Sequence, residues 1–275
     1  MAGVTDGGDR VLHAAVEVAR DVLGDRLEAA FAIGSLAHGG FAPLVSDVDL
    51  ALVLDRVDAG TASSIATVRD RTIARSPSDL AERLSIFWSD PRGVRDGPGE
   101  HDRLPAIDRL DLLDSGVLLF GTDSREPAHR PTAAELVREG AEFACEKFDD
   151  AYLARLRRAD LLVREGPRPV TKAVLFPIRF LYTLATGRIG RNDDAAAWYA
   201  DHGAHPALAR EATRWRTAGI DDGSAAAELL RQHLVGVHVE FFRRYAAEMA
   251  DGGLPQLVET LRMRERALAP ADPAA

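Results

Sequence analysis

The residues whose types and spacing could do chemistry lie together in FAIGSLAHGGFAPLVSDVDLALVL, residues 31–54. Gly34 and Ser35 come first, and after eleven intervening residues Asp47 and Asp49 stand two apart. Gly34 allows the backbone to approach a ligand closely. Ser35 is placed to cap a short helix, with its hydroxyl and the following N–H groups facing a phosphate. Two acids at i and i+2 on a strand project from one face. Hard carboxylate oxygens arranged this way suit Mg²⁺, which takes one or two carboxylates plus substrate phosphates. Two such ions can align an attacking hydroxyl with an α-phosphate and neutralise the developing charge. Either dipeptide alone reads as a turn or an exposed strand edge. Their order, strand then Gly-Ser then loop then D-x-D on an apolar strand, carries the functional reading.

The elements that must position these residues follow from hydrophobic period. Helical spacing runs from Asp9 to about Leu23, after a frayed stretch at 1–8, and Gly24 is the stop. Leu27 to Ile33 reads as a buried strand, and Asp47 to Leu54 as a strand with one functional end. A helix is expected over Thr61 to Arg75, a third strand over Arg83 to Trp88, and a surface loop over residues 89–104. A helix over Leu104 to Leu113 and a fourth strand over Gly116 to Phe120 complete an α/β unit with a small mixed sheet. From Thr132 to Met263 no strand pattern is present. Breaks fall at Gly166-Pro167, Gly187, Gly203, Gly219 to Gly223 and Gly252-Gly253, so an all-helical bundle is expected. The expected organisation is a nucleotide-handling domain over 1–125, a helical domain over 126–268 and a disordered tail over 269–275.

The G-S-x11-D-x-D pattern followed by an apolar strand resembles the DNA polymerase β-like nucleotidyltransferase superfamily, and LLDSGVLLFGTD, residues 112–123, resembles the segment that closes that domain. LFPIRFLYTLATGRIGRNDDAAAWY, residues 175–199, resembles the helical domain of the streptomycin/spectinomycin adenylyltransferases. The resemblance implies ATP as nucleotide donor, Mg²⁺ as cofactor and transfer of AMP to a hydroxyl of a small polar, aminoglycoside-like acceptor. It implies Asp47 and Asp49 as metal-binding catalytic residues, Gly34 and Ser35 as phosphate-holding, and Arg179 as a phosphate clamp from the helical domain. A gap-free alignment sets the family's phosphate-binding Lys on Asn192, with Arg191 beside it as a substitute. The nucleotide is then expected between the two domains.

The superfamily's third carboxylate, from the strand matching RLSIFW, falls on Ser85, with Glu82 as the nearest stand-in and Asp90 beyond the far end. A serine is no base at neutral pH without its own activator. Three arrangements stay open: Glu82 serves after a register shift, metal-bound hydroxyl suffices, or catalysis is lost and a nucleotide-binding protein remains. A protein-modifying, antitoxin-type nucleotidyltransferase is a further alternative, and the second domain argues against it.

Other features carry weaker signals. His38 could touch the triphosphate or sit in a turn, the turn being the favoured reading, and His202, His205, His233 and His238 match no standard zinc spacing. Arg231 and His238 fit a loose ribonuclease pattern that chance explains better. Glu135, Glu139, Glu142, Glu146, Asp149 and Asp150 form a solvated face, a subset of which could receive ammonium groups. Trp88 and Trp198 could pack on a sugar ring, with core packing the safer reading for Trp198. Cys145 is the sole cysteine and a small core residue, which excludes an intramolecular disulfide and a cysteine-based zinc site. A net charge of −9 favours a small or cationic partner over nucleic acid. Without a signal-like N-terminus or a long apolar run, a cytoplasmic address and no membrane partner are expected. Acceptor identity, base preference and the choice between monomer and homodimer are not legible.

Overall fold

A computed structural model describes residues 6–123 and 125–269 of the chain, which divides into two compact units, Met1–Pro131 and Thr132–Ala275. The tail expected at 269–275 lies, beyond Ala269, outside the described residues.

The first unit opens with α1 (Asp6–Leu23), which starts three residues before the periodic pattern and so includes part of the stretch expected to fray. Its apolar stripe, Val11, Leu12, Ala15, Val16, Val18, Ala19 and Leu23, is buried. A 3₁₀ turn (Gly24–Arg26) leads into β1 (Leu27–Ile33), then α2 (Gly34–Ala37) and β2 (Val48–Leu54). There follow α3 (Thr61–Arg75), α4 (Asp79–Glu82), β3 (Leu84–Ser89), α5 (Pro91–Asp96), α6 (Ala106–Ser115) and β4 (Val117–Gly121). The sheet is mixed, in order β3-β2-β1-β4. The strand β1 is antiparallel to both neighbours, whereas β2 and β3 run parallel across the α3–α4 crossover.

The pleat sorts β2 onto two faces. Val48, Leu50, Leu52 and Leu54 face α1 and α3 with Ile65 and Val68; Ala51 and Val53 face the other side with Phe31, Ile33, Val94, Leu104 and Leu112. Each such buried Val, Leu or Phe contributes roughly 1.5–3 kcal/mol by leaving water. Asp49 shares its parity with Ala51 and Val53, so it belongs to the face covered by α5 and α6. Two short helices stand where the sequence pattern gave none. Ser78 accepts from Ala81 N–H to start α4, and Asp90 accepts from Gly93 N–H to start α5, with Pro91 in its first turn.

The second unit is helical throughout its described residues: α7 (Ala133–Lys147), α8 (Asp150–Leu156), α9 (Ala159–Arg164), α10 (Pro167–Thr186), α11 (Asn192–His202), α12 (Pro206–Ala218), α13 (Gly223–Asp251) and α14 (Pro255–Leu268). Its core is aromatic, with Tyr199, Trp215, Phe241, Phe242 and Tyr245 all buried. No helix among the described residues is long and apolar enough to cross a membrane.

Candidate functional site

Gly34 follows directly on β1, and its φ of +66° is a left-handed conformation that side chains resist. A Cβ on Gly34 would also overlap the Oδ2 of Asp49. The glycine is therefore required twice, by backbone conformation and by the closeness of a carboxylate. Asp49 pairs across the sheet with Ile33 on one side and Ser85 on the other, and it is half-buried, as is Asp47 one residue before β2 begins. The Gly-Ser turn and the D-x-D strand are thus brought together, the juxtaposition on which the sequence reading rests.

Two details differ from the reading. Ile33, not Ser35, holds the cap position of α2, and no side chain caps that helix. Ser35 lies inside the turn because the left-handed glycine itself redirects the chain, which leaves no capping role for its hydroxyl. Glu82, expected at the start of the third strand, is the last residue of α4, exposed and two residues short of β3. The capped turn at Ser78 draws it into a helix, and its carbonyl accepts from Arg69 instead. Asp90 is engaged as the cap of α5. The strand position level with Asp49 is Ser85, so β3 brings no acid there.

A carboxylate does reach the turn, from an element the sequence reading passed over. Asp111 on α6 accepts a hydrogen bond from Gly34 N–H through Oδ2 at 2.5 Å and is only 7% exposed. Its Oδ1 is buried and accepts no hydrogen bond. The placement of α6 is fixed near both ends. The buried guanidinium of Arg109 donates through Nη1 to the carbonyls of Val94, Arg95 and His129. Arg125 donates to the carbonyls of Leu112 and Gly116 at 2.7 and 2.9 Å and lies over the Phe31 ring. The available signal was no more than an acid flanked by Leu110 and Leu112, one of three in the helix. Arg83 donates to the carbonyls of Pro43 and Ser46, tying down the loop that leads to Asp47.

The second unit holds the residues that resemblance alone proposed. Arg179 on α10 is half-buried and donates through Nε to Gly190 O at 2.6 Å. Gly190 packs so closely on Arg179 that an added Cβ would meet its carbonyl at 2.6 Å. Arg191 precedes α11 and Asn192 is its first residue, both half-buried. Arg216 on α12, missed by sequence, is buried beside Asp193 with Nε at 3.8 Å from its Oδ1. Burial lowers the Arg216 pKa; Asp193 opposes the shift and the like charge of Arg179 adds to it.

Most of the other candidates have structural occupations. Glu135 completes a capping box with Thr132, Asp149 caps α8, and Glu142, Glu146 and Asp150 pair with Arg138, Lys147 and Arg264. Trp88 is buried and donates to His101 O, while Trp198 lies between Tyr182 and His202. His238 is wholly buried, bonded to Leu234 O and to the Tyr152 hydroxyl, whereas Arg231 is exposed and paired with Glu228 and Asp160. The two therefore build no shared ribonuclease site. His205 and His233 meet at 3.2 Å, and burial, reinforced by His233, lowers the His205 pKa. Among the described residues no three or more His, Cys, Asp or Glu gather where they could hold a metal unaided.

A mixed four-stranded sheet carrying the Gly-Ser turn and the D-x-D strand, followed in the chain by a helical unit, is a nucleotidyltransferase fold. The chain is similar in structure to spectinomycin adenyltransferase AAD(9) from Enterococcus faecialis, solved with ATP and spectinomycin. The TM-score is 0.56 at 15% identity, over 82% of this chain and 98% of that one. No protein-family profile and no curated protein sequence matches the chain.

Proposed function

We propose that the chain is a magnesium-dependent nucleotidyltransferase that moves AMP from ATP onto a hydroxyl of a small polar acceptor, of which an aminoglycoside is the first to try. The observation that carries this reading is the Asp49 carboxylate lying against the left-handed Gly34 on this fold. The residues present fit a hydrated Mg²⁺. Asp47 and Asp49 offer hard oxygens at the start of β2, which suits an ion completed by substrate phosphates. Bound there, the ion would neutralise charge on the phosphates. The chain's own part is to orient: Gly34 and Ser35 bring the backbone against the phosphates, and Asp47 and Asp49 hold the cation. Arg179 and Arg191, with Arg216, would supply positive charge to phosphate oxygens, with Asn192 beside them. Support for ATP and for an aminoglycoside comes from the ligands of the spectinomycin enzyme.

The acid-free position at Ser85 favours a second reading, nucleotide binding without turnover. The test begins with calorimetry of ATP and GTP, with and without Mg²⁺, on the wild type and on Asp47→Ala/Asp49→Ala. Magnesium-dependent binding is expected in the wild type and absent in the double variant. Pyrophosphate release with aminoglycosides and other polyols then separates the two readings. No binding of either nucleotide would overturn both.

A further inference from the structure

Asp111 and Asp49 flank the same residue. One carboxylate takes the Gly34 N–H, and the other occupies the space where a Gly34 side chain would start. Two acids thus meet at a turn proposed to hold an anionic triphosphate. Asp111 moreover keeps one oxygen buried with neither a hydrogen bond nor an ion pair. A carboxylate oxygen removed from water without a partner is costly, and a cation at the loaded site would relieve that cost.

We infer that Asp111 is the third carboxylate of this site, contributed by α6 where β3 has only Ser85, and that it makes nucleotide binding obligatorily dependent on a divalent cation. The inference rests on the reading of the turn as a nucleotide site. Without a cation, the Asp111 charge repels the phosphates and its Oδ2 occupies the Gly34 N–H that a phosphate oxygen could otherwise take. With one, the same charge attracts the ion that the phosphates bring. Asp111 thus opposes free ATP and favours the magnesium complex through a single side chain.

The substitution Asp111→Asn separates charge from structure, because the Asn carbonyl oxygen can still accept from Gly34 N–H. Calorimetry would give ATP affinity with Mg²⁺ and with EDTA for both proteins, after thermal melting has shown the variant folded. The ratio of the two affinities should fall at least tenfold in the variant, from tighter binding of free ATP, weaker binding of Mg-ATP, or both. An unchanged ratio would overturn the inference and leave Asp111 as a neutral-equivalent brace for the turn. If Asp111→Asn does not fold, Asp111→Ser, also neutral and a hydrogen-bond acceptor, is read in the same way. Absence of any Mg-ATP binding by the wild type would instead defeat the nucleotide reading itself, and this inference with it.

Discussion

Two turns of this chain use a close-packed glycine ahead of a helix and surround it with opposite charges. In the first unit Gly34 starts α2 between Asp49 and Asp111. In the second, Gly190 precedes α11 and lies on the backbone of Arg179, whose guanidinium takes its carbonyl, with buried Arg216 close to the first turn of the helix. The backbone device is similar: a residue without a side chain lets other groups come within touching distance, next to a helix start whose N–H groups favour an anion. The side chains decide the rest. Under the proposed function, the carboxylates would suit the first turn to a cation with its phosphates, and the guanidinium groups would suit the second to phosphate directly. A helix start is permissive, and the charge around it is selective.

The largest expected effect tests the acidic turn. Gly34→Ala sets a methyl against Asp49 Oδ2 at a φ of +66°, a conformation costing roughly 1 kcal/mol even where space is free. Magnesium-dependent ATP binding should become undetectable by calorimetry; binding within a few-fold of wild type would show that the close approach is not part of the site. The next effect concerns the unit that carries the basic turn. Burial pushes the His238 pKa down to about 4 from 6.5, so between those values the unfolded chain holds a proton that the folded chain refuses. Stability is therefore full above about pH 6.5 and falls as pH drops towards 4, by about 3 kcal/mol from this group. Urea unfolding at about pH 7 and pH 4 should show a larger acid loss in wild type than in His238→Asn, and equal losses would mean the ring accepts its proton in the fold. The smallest effect sharpens the division of labour. Arg179→Ala should weaken Mg-ATP binding about tenfold, the loss of one charge-assisted contact, without altering the magnesium dependence. A changed dependence would mean that the two turns do not have separate tasks.

The first strand was legible to the residue, Leu27–Ile33, because an apolar run bounded by a charged segment and a glycine leaves few alternatives. The central strand and the long helices were legible for the same reason, as were the helix breaks at Gly166-Pro167, Gly187 and Gly203. Breaks without Gly or Pro were not: Phe148–Asp149 and Arg157–Arg158 interrupt an unbroken helical pattern, set by the Asp149 cap and by packing. In residues 89–104 glycines concealed α5, whose signal was the Asp90-Pro91 start. The site shows the same division. Gly34, Asp47 and Asp49 declared themselves by local spacing. Asp111 and Arg216 are placed by tertiary contacts from helices far along the chain, and no local pattern records such contacts. Glu82 shows the converse: it was selected for its nearness in sequence, and a one-turn helix holds it away from the strand.

The central strand is hydrogen-bonded on both edges, so the backbone of Asp49 is held between Ile33 and Ser85. A part held that firmly turns the rest of the site into exchangeable fittings. Whatever a different ligand demanded would have to come from the pieces around the anchor, the helix bearing Asp111 and the loop secured by Arg83. Anyone redesigning this chain for another cargo would leave the strand alone and work on its surroundings.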